Sequence, residues 1–237
     1  MTDWITDWNY EEYLTRQPWP MAFAGGEAGL AYANAFADWQ NERAVVSLAK
    51  NGHDTAAQRE LWAKEIPNLT GAQRKAQPRL GELLKTGEGG GMGLTGLPGR
   101  GKSRLAGRFV HLLRSVNLPT AYLSATTFLE TTTAIVTAEQ KTTTAEKYRS
   151  RFETAPALII DDIAVGKTSE FKQTQLHALL EGRHNLAETA PLITIYTSNL
   201  AAANLETYMG KAAYSRLIGL CPEEFKITGK DMRKEKA

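Results

Sequence analysis

From Met92 onward the chain alternates short apolar runs with longer stretches of helical periodicity. The runs Met92–Thr95, Thr120–Ser124, Ala157–Asp161 and Leu192–Ser198 are brief, nearly continuous and closed by polar residues. Strands buried on both faces of a parallel sheet read this way. Between them lie the helical stretches Lys102–Val116, Phe128–Phe152 and Glu170–Glu188. Strand–helix alternation predicts an α/β fold, a parallel sheet with crossover helices on its faces. Upstream the pattern changes. Apolar residues recur at helical spacing over Leu30–Lys50, Thr55–Ile66 and Ala72–Leu84, with turns at Gly25-Gly26, Asn51-Gly52 and Pro67-Asn68. The predicted organisation is a small helical extension over residues 1–75 and an α/β domain over residues 76–237.

Composition sharpens the division. All five tryptophans (Trp4, Trp8, Trp19, Trp39 and Trp62) fall in the extension, as its own small core or as a docking surface for a partner. The first 80 residues carry 8 Lys/Arg against 10 Asp/Glu, the remainder 20 against 16, and the last twelve residues hold five bases. That basic end is either a nucleic-acid contact or a solvated terminus. No apolar run is long enough to span a bilayer, and the acidic, aromatic start is unlike a signal or transit peptide. No membrane partner and a cytoplasmic setting are the expectation. One cysteine, Cys221, excludes an internal disulfide and a multi-cysteine zinc site; its ordinary role is a small core side chain.

The chemistry begins at Gly96-Leu97-Pro98-Gly99-Arg100-Gly101-Lys102-Ser103, a Walker A spacing that continues into Arg104. Glycines there permit backbone conformations that turn amide N–H groups onto phosphate oxygens, and the following helix adds its positive end. Lys102 supplies a charge to the β- and γ-phosphates and the Ser103 hydroxyl a ligand for Mg²⁺. Pro98 has no N–H and shapes the loop. A strand precedes the motif and an amphipathic helix follows it, the flanks that phosphate binding requires. ATP with Mg²⁺ is the expected ligand.

Asp161 and Asp162 close the run Ala157–Asp161. With a phosphate loop elsewhere in the chain, Asp161 reads as a metal carboxylate acting mainly through water. Asp162 then orients and polarises the attacking water; a helix cap or turn is the plainer reading of the pair. Asn199 follows the last apolar run, as a γ-phosphate or water contact or as an Asx turn. Arg216, in the helical segment Tyr214-Ser215-Arg216-Leu217, serves either a neighbouring subunit's γ-phosphate or a surface salt bridge.

The segments GLPGRGKSRLA, LIIDDIA, LHALLEGRHN, ITIYTSNL, YSRLIGLC and FKITGKDMR, in this order, resemble the AAA+ ATPases. Within them the likeness is to the DnaC-type helicase loaders and the IstB-type transposition ATPases, over roughly residues 78–233. The resemblance implies an AAA+ core of the P-loop NTPase class. Asn199 falls on the sensor 1 position and Arg216 on the arginine finger, which implies ATP sites shared between subunits. Residues 126–152 fall where initiators and loaders carry an extra helix lining a single-stranded DNA channel; its basic residues are Lys141, Lys147, Arg149 and Arg151. The stretch after Arg216 is too short for a full lid domain, and Arg233 is a weak candidate for a lid-borne sensor. Asp162 stands where many AAA+ proteins have glutamate, which implies slow, switch-like hydrolysis.

The implied function is an ATP-controlled helicase loader of a bacteriophage or mobile element. Its extension grips a replicative helicase, and it self-associates with ATP and single-stranded DNA. A transposition-regulating ATPase acting on duplex DNA is the nearest alternative, and a P-loop small-molecule kinase the alternative from another class.

Overall fold

The apolar runs form strands at the predicted places in a computed structural model, which describes residues 56–64, 66, 69, 71–115, 118–137 and 142–231. The predicted helix Leu30–Lys50, Trp4, Trp8, Trp19, Trp39, Lys141 and Arg233 lie outside the described residues. Strands β1 (Gly90–Thr95), β2 (Thr120–Ser124), β3 (Ala157–Asp161) and β4 (Ile193–Ser198) are joined by a fifth, β5 (Glu223–Lys226). All pair in parallel, in the order β2-β3-β4-β1-β5. β1 and β3 are therefore not neighbours, because β4 lies between them. That order sets up the site.

Helices cover both faces. On one lie α1 (Ala56–Ala63), α2 (Gly71–Thr86) and α3 (Lys102–Ser115), packed through Trp62, Leu80, Leu105 and Phe109 onto Met92, Tyr122 and Ile159. On the other lie α4 (Ala125–Thr137), α5 (Thr142–Glu153), α6 (Glu170–Ala187), α7 (Ala202–Met209) and α8 (Lys211–Leu220). β2, β3 and β4 thus give alternate side chains to two cores, whereas β1 gives Met92 and Leu94 to the first alone. Trp62 belongs to the sheet-facing core at 4% exposure, and position 75 falls inside α2.

The stretch predicted as one helix, Phe128–Phe152, is two. α4 ends at Thr137 and α5 begins at Thr142. In α4 the hydroxyls of Thr132, Thr133 and Thr137 donate back to the carbonyls of Phe128, Leu129 and Thr133 at 2.7, 2.7 and 2.9 Å. Such bonds, with β-branched χ1 restriction, weaken a long helix. The two pieces pack through Phe128, Tyr148 and Phe152, whose ring centroids lie 5.4–5.9 Å apart. α6 starts cleanly: the Ser169 hydroxyl accepts from Lys172 N at 3.3 Å, and Glu170 puts an acid in the first turn.

Arg183 of α6 is fully buried. Its guanidinium donates to the carbonyls of Phe152, Glu153, Ala155 and Ile193 and to the Thr194 hydroxyl, at 2.6–3.1 Å. It ties the end of α5 and the starts of β3 and β4 together. Cys221 is buried too; desolvation pushes its thiol far above the usual range, and its Sγ lies 3.3 Å from Thr194 O. Among the described residues no helix is long and apolar enough to cross a membrane.

Candidate nucleotide-binding site

The candidate site lies where the carboxyl ends of β1, β4 and β3 come side by side. The loop leaving β1 takes positive φ at Gly96 (135°), Gly99 (76°) and Gly101 (85°), a region that favours glycine. It is pinned to the sheet by Gly96 N donating to Ser198 O at 3.2 Å, and Leu105 N already bonds Gly101 O at 2.9 Å as α3 begins. Leu97 and Pro98 are exposed; Gly99, Arg100, Gly101, Ser103 and Arg104 are half-buried. Ser103 and Arg104 occupy the first turn of α3.

Lys102 is 4% exposed and reaches back over the loop. Its ammonium donates to Leu97 O at 3.0 Å and to Asn199 Oδ1 at 2.6 Å. The other end of the Asn199 amide donates to Asp162 Oδ1 at 3.1 Å. The sheet order explains this bridge: β4 lies between β1 and β3, so the residue after its tip can span the lysine and the carboxylate. The structure brings Lys102, Asn199 and Asp162 together.

Asp161 is 9% exposed and each carboxylate oxygen accepts from a hydroxyl, Oδ2 from Tyr122 at 2.6 Å and Oδ1 from Thr197 at 2.7 Å. The Thr197 hydroxyl also accepts from Asp162 N at 2.9 Å, and Thr197 O accepts from Ile163 N at 3.0 Å. Asp162 has φ 52°, the one positive value on a non-glycine among the described residues. Aspartate tolerates that conformation better than most side chains. Thr197 therefore clamps both acids. Neither Tyr122 nor Thr197 is singled out by the sequence; the one available signal is a polar tip near the end of an apolar strand.

A second unanticipated contact comes from the chain after β5. Ile227 N donates to Thr95 O at 2.6 Å, and Arg100 donates to Gly229 O. The Asp231 carboxylate lies against Gly99 so closely that a Cβ there would overlap it. β5 thus carries the segment 227–231 along the phosphate loop.

Arg216 does not join this cluster. It pairs with Glu181 of α6, its Nε with Oε2 and its Nη2 with Oε1 at 3.3 Å, with the two side chains 39% and 33% exposed. Of the basic residues on α5, Lys147 and Arg151 are exposed, four apart and so on one face. Arg149 turns inward to Glu153 at 2.7 Å. Beside Asp162 a cavity of about 740 Å³ opens between α4, the loop after β3 and α6, walled by Leu129, Thr133, Val165, Lys172 and Tyr208.

The donor set fits a nucleotide phosphate with a hard cation. A positive-φ loop opens a helix, a buried lysine crosses it, and a hydroxyl and a fixed carboxylate flank it. No group of three or more His, Cys, Asp or Glu able to cage a metal occurs among the described residues. Mg²⁺ bound through phosphate oxygens and its own waters does not need one.

No family model matches the sequence, and no curated protein matches it. Solved structures do. The DnaC helicase loader aligns over 67% of this chain and 92% of its own, at 19% identity and a TM-score of 0.55. DnaI aligns over 74% and 93%, at 20% identity and 0.54. The fold is that of the P-loop AAA+ NTPases. A third AAA+ structure, the replication initiator DnaA bound to AMPPCP and single-stranded DNA, aligns over 71% of this chain at 19% identity and 0.56. This chain spans about half of that one, 51%.

Proposed function

We propose that this chain is a replication-associated AAA+ ATPase that binds Mg²⁺–ATP and single-stranded DNA and delivers a replicative helicase, with ATP as the signal that holds the assembly. The observation that carries the reading is the bridge Lys102–Asn199–Asp162, which joins the phosphate loop to the second acid through the residue that closes β4. A γ-phosphate inserted there would meet a buried ammonium and an amide already oriented, and so would bias one arrangement of the tips. Mg²⁺, when bound, neutralises charge on the β- and γ-phosphates; Ser103 and, through water, Asp161 are the residues to hold it. Asp162, with its backbone fixed by Thr197, orients the attacking water. Its short arm fits slow turnover.

Arg216 is the group proposed to act on a neighbouring subunit's nucleotide, so that ATP promotes self-association. The α4–α5 hairpin, with Lys147 and Arg151 on one exposed face and the cavity beside Asp162 at its base, is the proposed DNA contact. Its likeness in fold to the DnaC helicase loader and to DnaA bound to AMPPCP and single-stranded DNA supports the same assignment. The extension, residues 1–75, is the proposed grip on the helicase, in a cytoplasmic system of phage or mobile-element origin.

The test uses the full chain and its Lys102→Ala variant in calorimetric ATP titrations, then in co-purification with the replicative hexameric helicase of the same source. The wild type is expected to bind ATP and retain the helicase, and the variant to lose at least the first. Binding of ATP with equal affinity by both proteins would sink the site assignment. ATP binding without helicase retention would leave an ATPase of another role.

A further inference from the structure

Tyr122 and Trp62 form a contact line from the first described helix to the metal-side carboxylate. The Tyr122 hydroxyl donates to Asp161 Oδ2 at 2.6 Å, from a ring only 5% exposed. That ring packs against the Trp62 indole, with centroids 4.8 Å apart and planes at 54°. Trp62, near the end of α1, lies in a notch on α3 at Gly107, where a Cβ would overlap the indole. Arg108 closes the contact by donating to Ala63 O at 2.8 Å and Trp62 O at 3.4 Å. α1, the indole, the phenol and the carboxylate are thus in continuous contact.

We infer that Tyr122 is a positioning residue for Asp161, and that through Trp62 it makes the setting of that carboxylate depend on how α1 is docked. The inference rests on the nucleotide-binding reading above and deepens it. A hydroxyl donating to an ionised carboxylate makes a short, charge-assisted bond, which fixes the rotation of the carboxylate plane. The carboxylate has about four acceptor directions, so bonds from Tyr122 and Thr197 still leave directions for metal-bound water. Removing the phenol oxygen releases one side of that clamp. Disturbing the indole moves the phenol instead, and a hydrogen bond of 2.6 Å tolerates little movement. A partner that pulled on the residues before α1 would load the docking of that helix, and Trp62 is the buried side chain that docks it, so the metal side of the site is built to register that pull.

The test compares ATP affinity with and without Mg²⁺ in the full chain, by calorimetry, for wild type, Tyr122→Phe, Trp62→Leu and the double variant. Tyr122→Phe keeps the ring against Trp62 and removes only the donor. It is expected to cut the tightening that Mg²⁺ gives on the order of tenfold. Trp62→Leu is expected to cut it about threefold. The double variant should match Tyr122→Phe alone, because the indole acts through the phenol. Melting midpoints separate folded from unfolded variants, and Trp62→Phe carries the same comparison where Trp62→Leu unfolds. An unchanged Mg²⁺ effect in folded Tyr122→Phe overturns the positioning role while leaving the nucleotide site standing. Simple addition in the double variant overturns the link to α1. A wild type that binds ATP without any Mg²⁺ effect overturns the metal role of Asp161 and this inference with it, and one that does not bind ATP overturns the nucleotide reading as well.

Discussion

The strand tips and the outer faces of α6 and α8 handle charge in opposite ways. At the tips, Lys102, Asn199 and Asp162 are bonded in series and Asp161 is gripped by two hydroxyls, with Lys102 and Asp161 at 4% and 9% exposure. On the helix faces, Arg216 and Glu181 meet with 39% and 33% of their side chains in solvent. A buried network is fixed by sheet order and is costly to rearrange. An exposed pair contributes about 0–1 kcal/mol, so a stronger anion can take its arginine at little cost. The first region is organised within one chain, whereas the second holds a cation in a form that can be exchanged.

That contrast breaks most sharply at Arg216. If its exchange partner is a neighbour's γ-phosphate, Arg216→Ala should slow ATP turnover by about 10³–10⁵ while leaving ATP affinity near wild type. Glu181→Gln should not slow it, because it only releases the arginine. Steady-state turnover measured across a range of protein concentrations checks both. Equal turnover by wild type and Arg216→Ala at every concentration would reduce the pair to a surface salt bridge.

A single helix, α6, carries both kinds of charge two residues apart. Glu181 faces solvent and Arg216, while Arg183 is sealed among backbone carbonyls. Arg183→Met would leave several buried acceptors without a donor, at about 1–3 kcal/mol for each that water cannot reach. Denaturant unfolding reads the loss directly. A loss below about 1 kcal/mol would mean that water reaches those carbonyls and that the buried network is less fixed than claimed.

Legibility in the sequence divides along the same line. The phosphate loop is readable because eight successive residues carry one function, and the acid pair because it ends an apolar run. Arg183 is not, since an arginine in a helix gives no sign of its depth and looks like Arg216 until packing is known. Tyr122 and Thr197 are ordinary strand formers; only register brings them onto Asp161, with Thr197 one step beyond the Ile160–Tyr196 pair. The strand β5 escapes notice because Glu-Glu-Phe-Lys has no apolar run and is mostly exposed. The break between α4 and α5 is hidden because the sequence between Thr137 and Thr142, Ala-Glu-Gln-Lys, consists of good helix formers and has no glycine or proline to mark a turn.

On α5 the comparison is sharpened by salt. Lys147 and Arg151 share an exposed face, while Arg149 is occupied by Glu153. Lys147→Glu with Arg151→Glu should weaken single-stranded DNA binding and flatten its dependence on log salt by about 0.7 per lost phosphate contact. Arg149→Gln should leave that slope near wild type. Fluorescence titrations at several salt concentrations distinguish them. A slope that responds to Arg149 and not to its neighbours would place the DNA on the other side of the helix.

The Arg149–Glu153 pair lies between the two regimes, with side chains 25% and 15% exposed. Desolvation raises the Glu153 carboxyl above its usual value, against the opposing pull of Arg149 and Arg183. The folded chain therefore binds its proton more tightly than the unfolded chain does. In the window above the ordinary carboxylate range the native state holds more protons, so stability must fall as pH rises through it. Glu153→Gln, which stays neutral, should remove that component. Its stability relative to wild type should increase from pH 4 to pH 7, a small effect read from denaturation midpoints along the series. The opposite trend would mean that the ion pair outweighs the burial of its carboxylate, so that Arg149 and Glu153 would belong with the networks of the strand tips rather than between them.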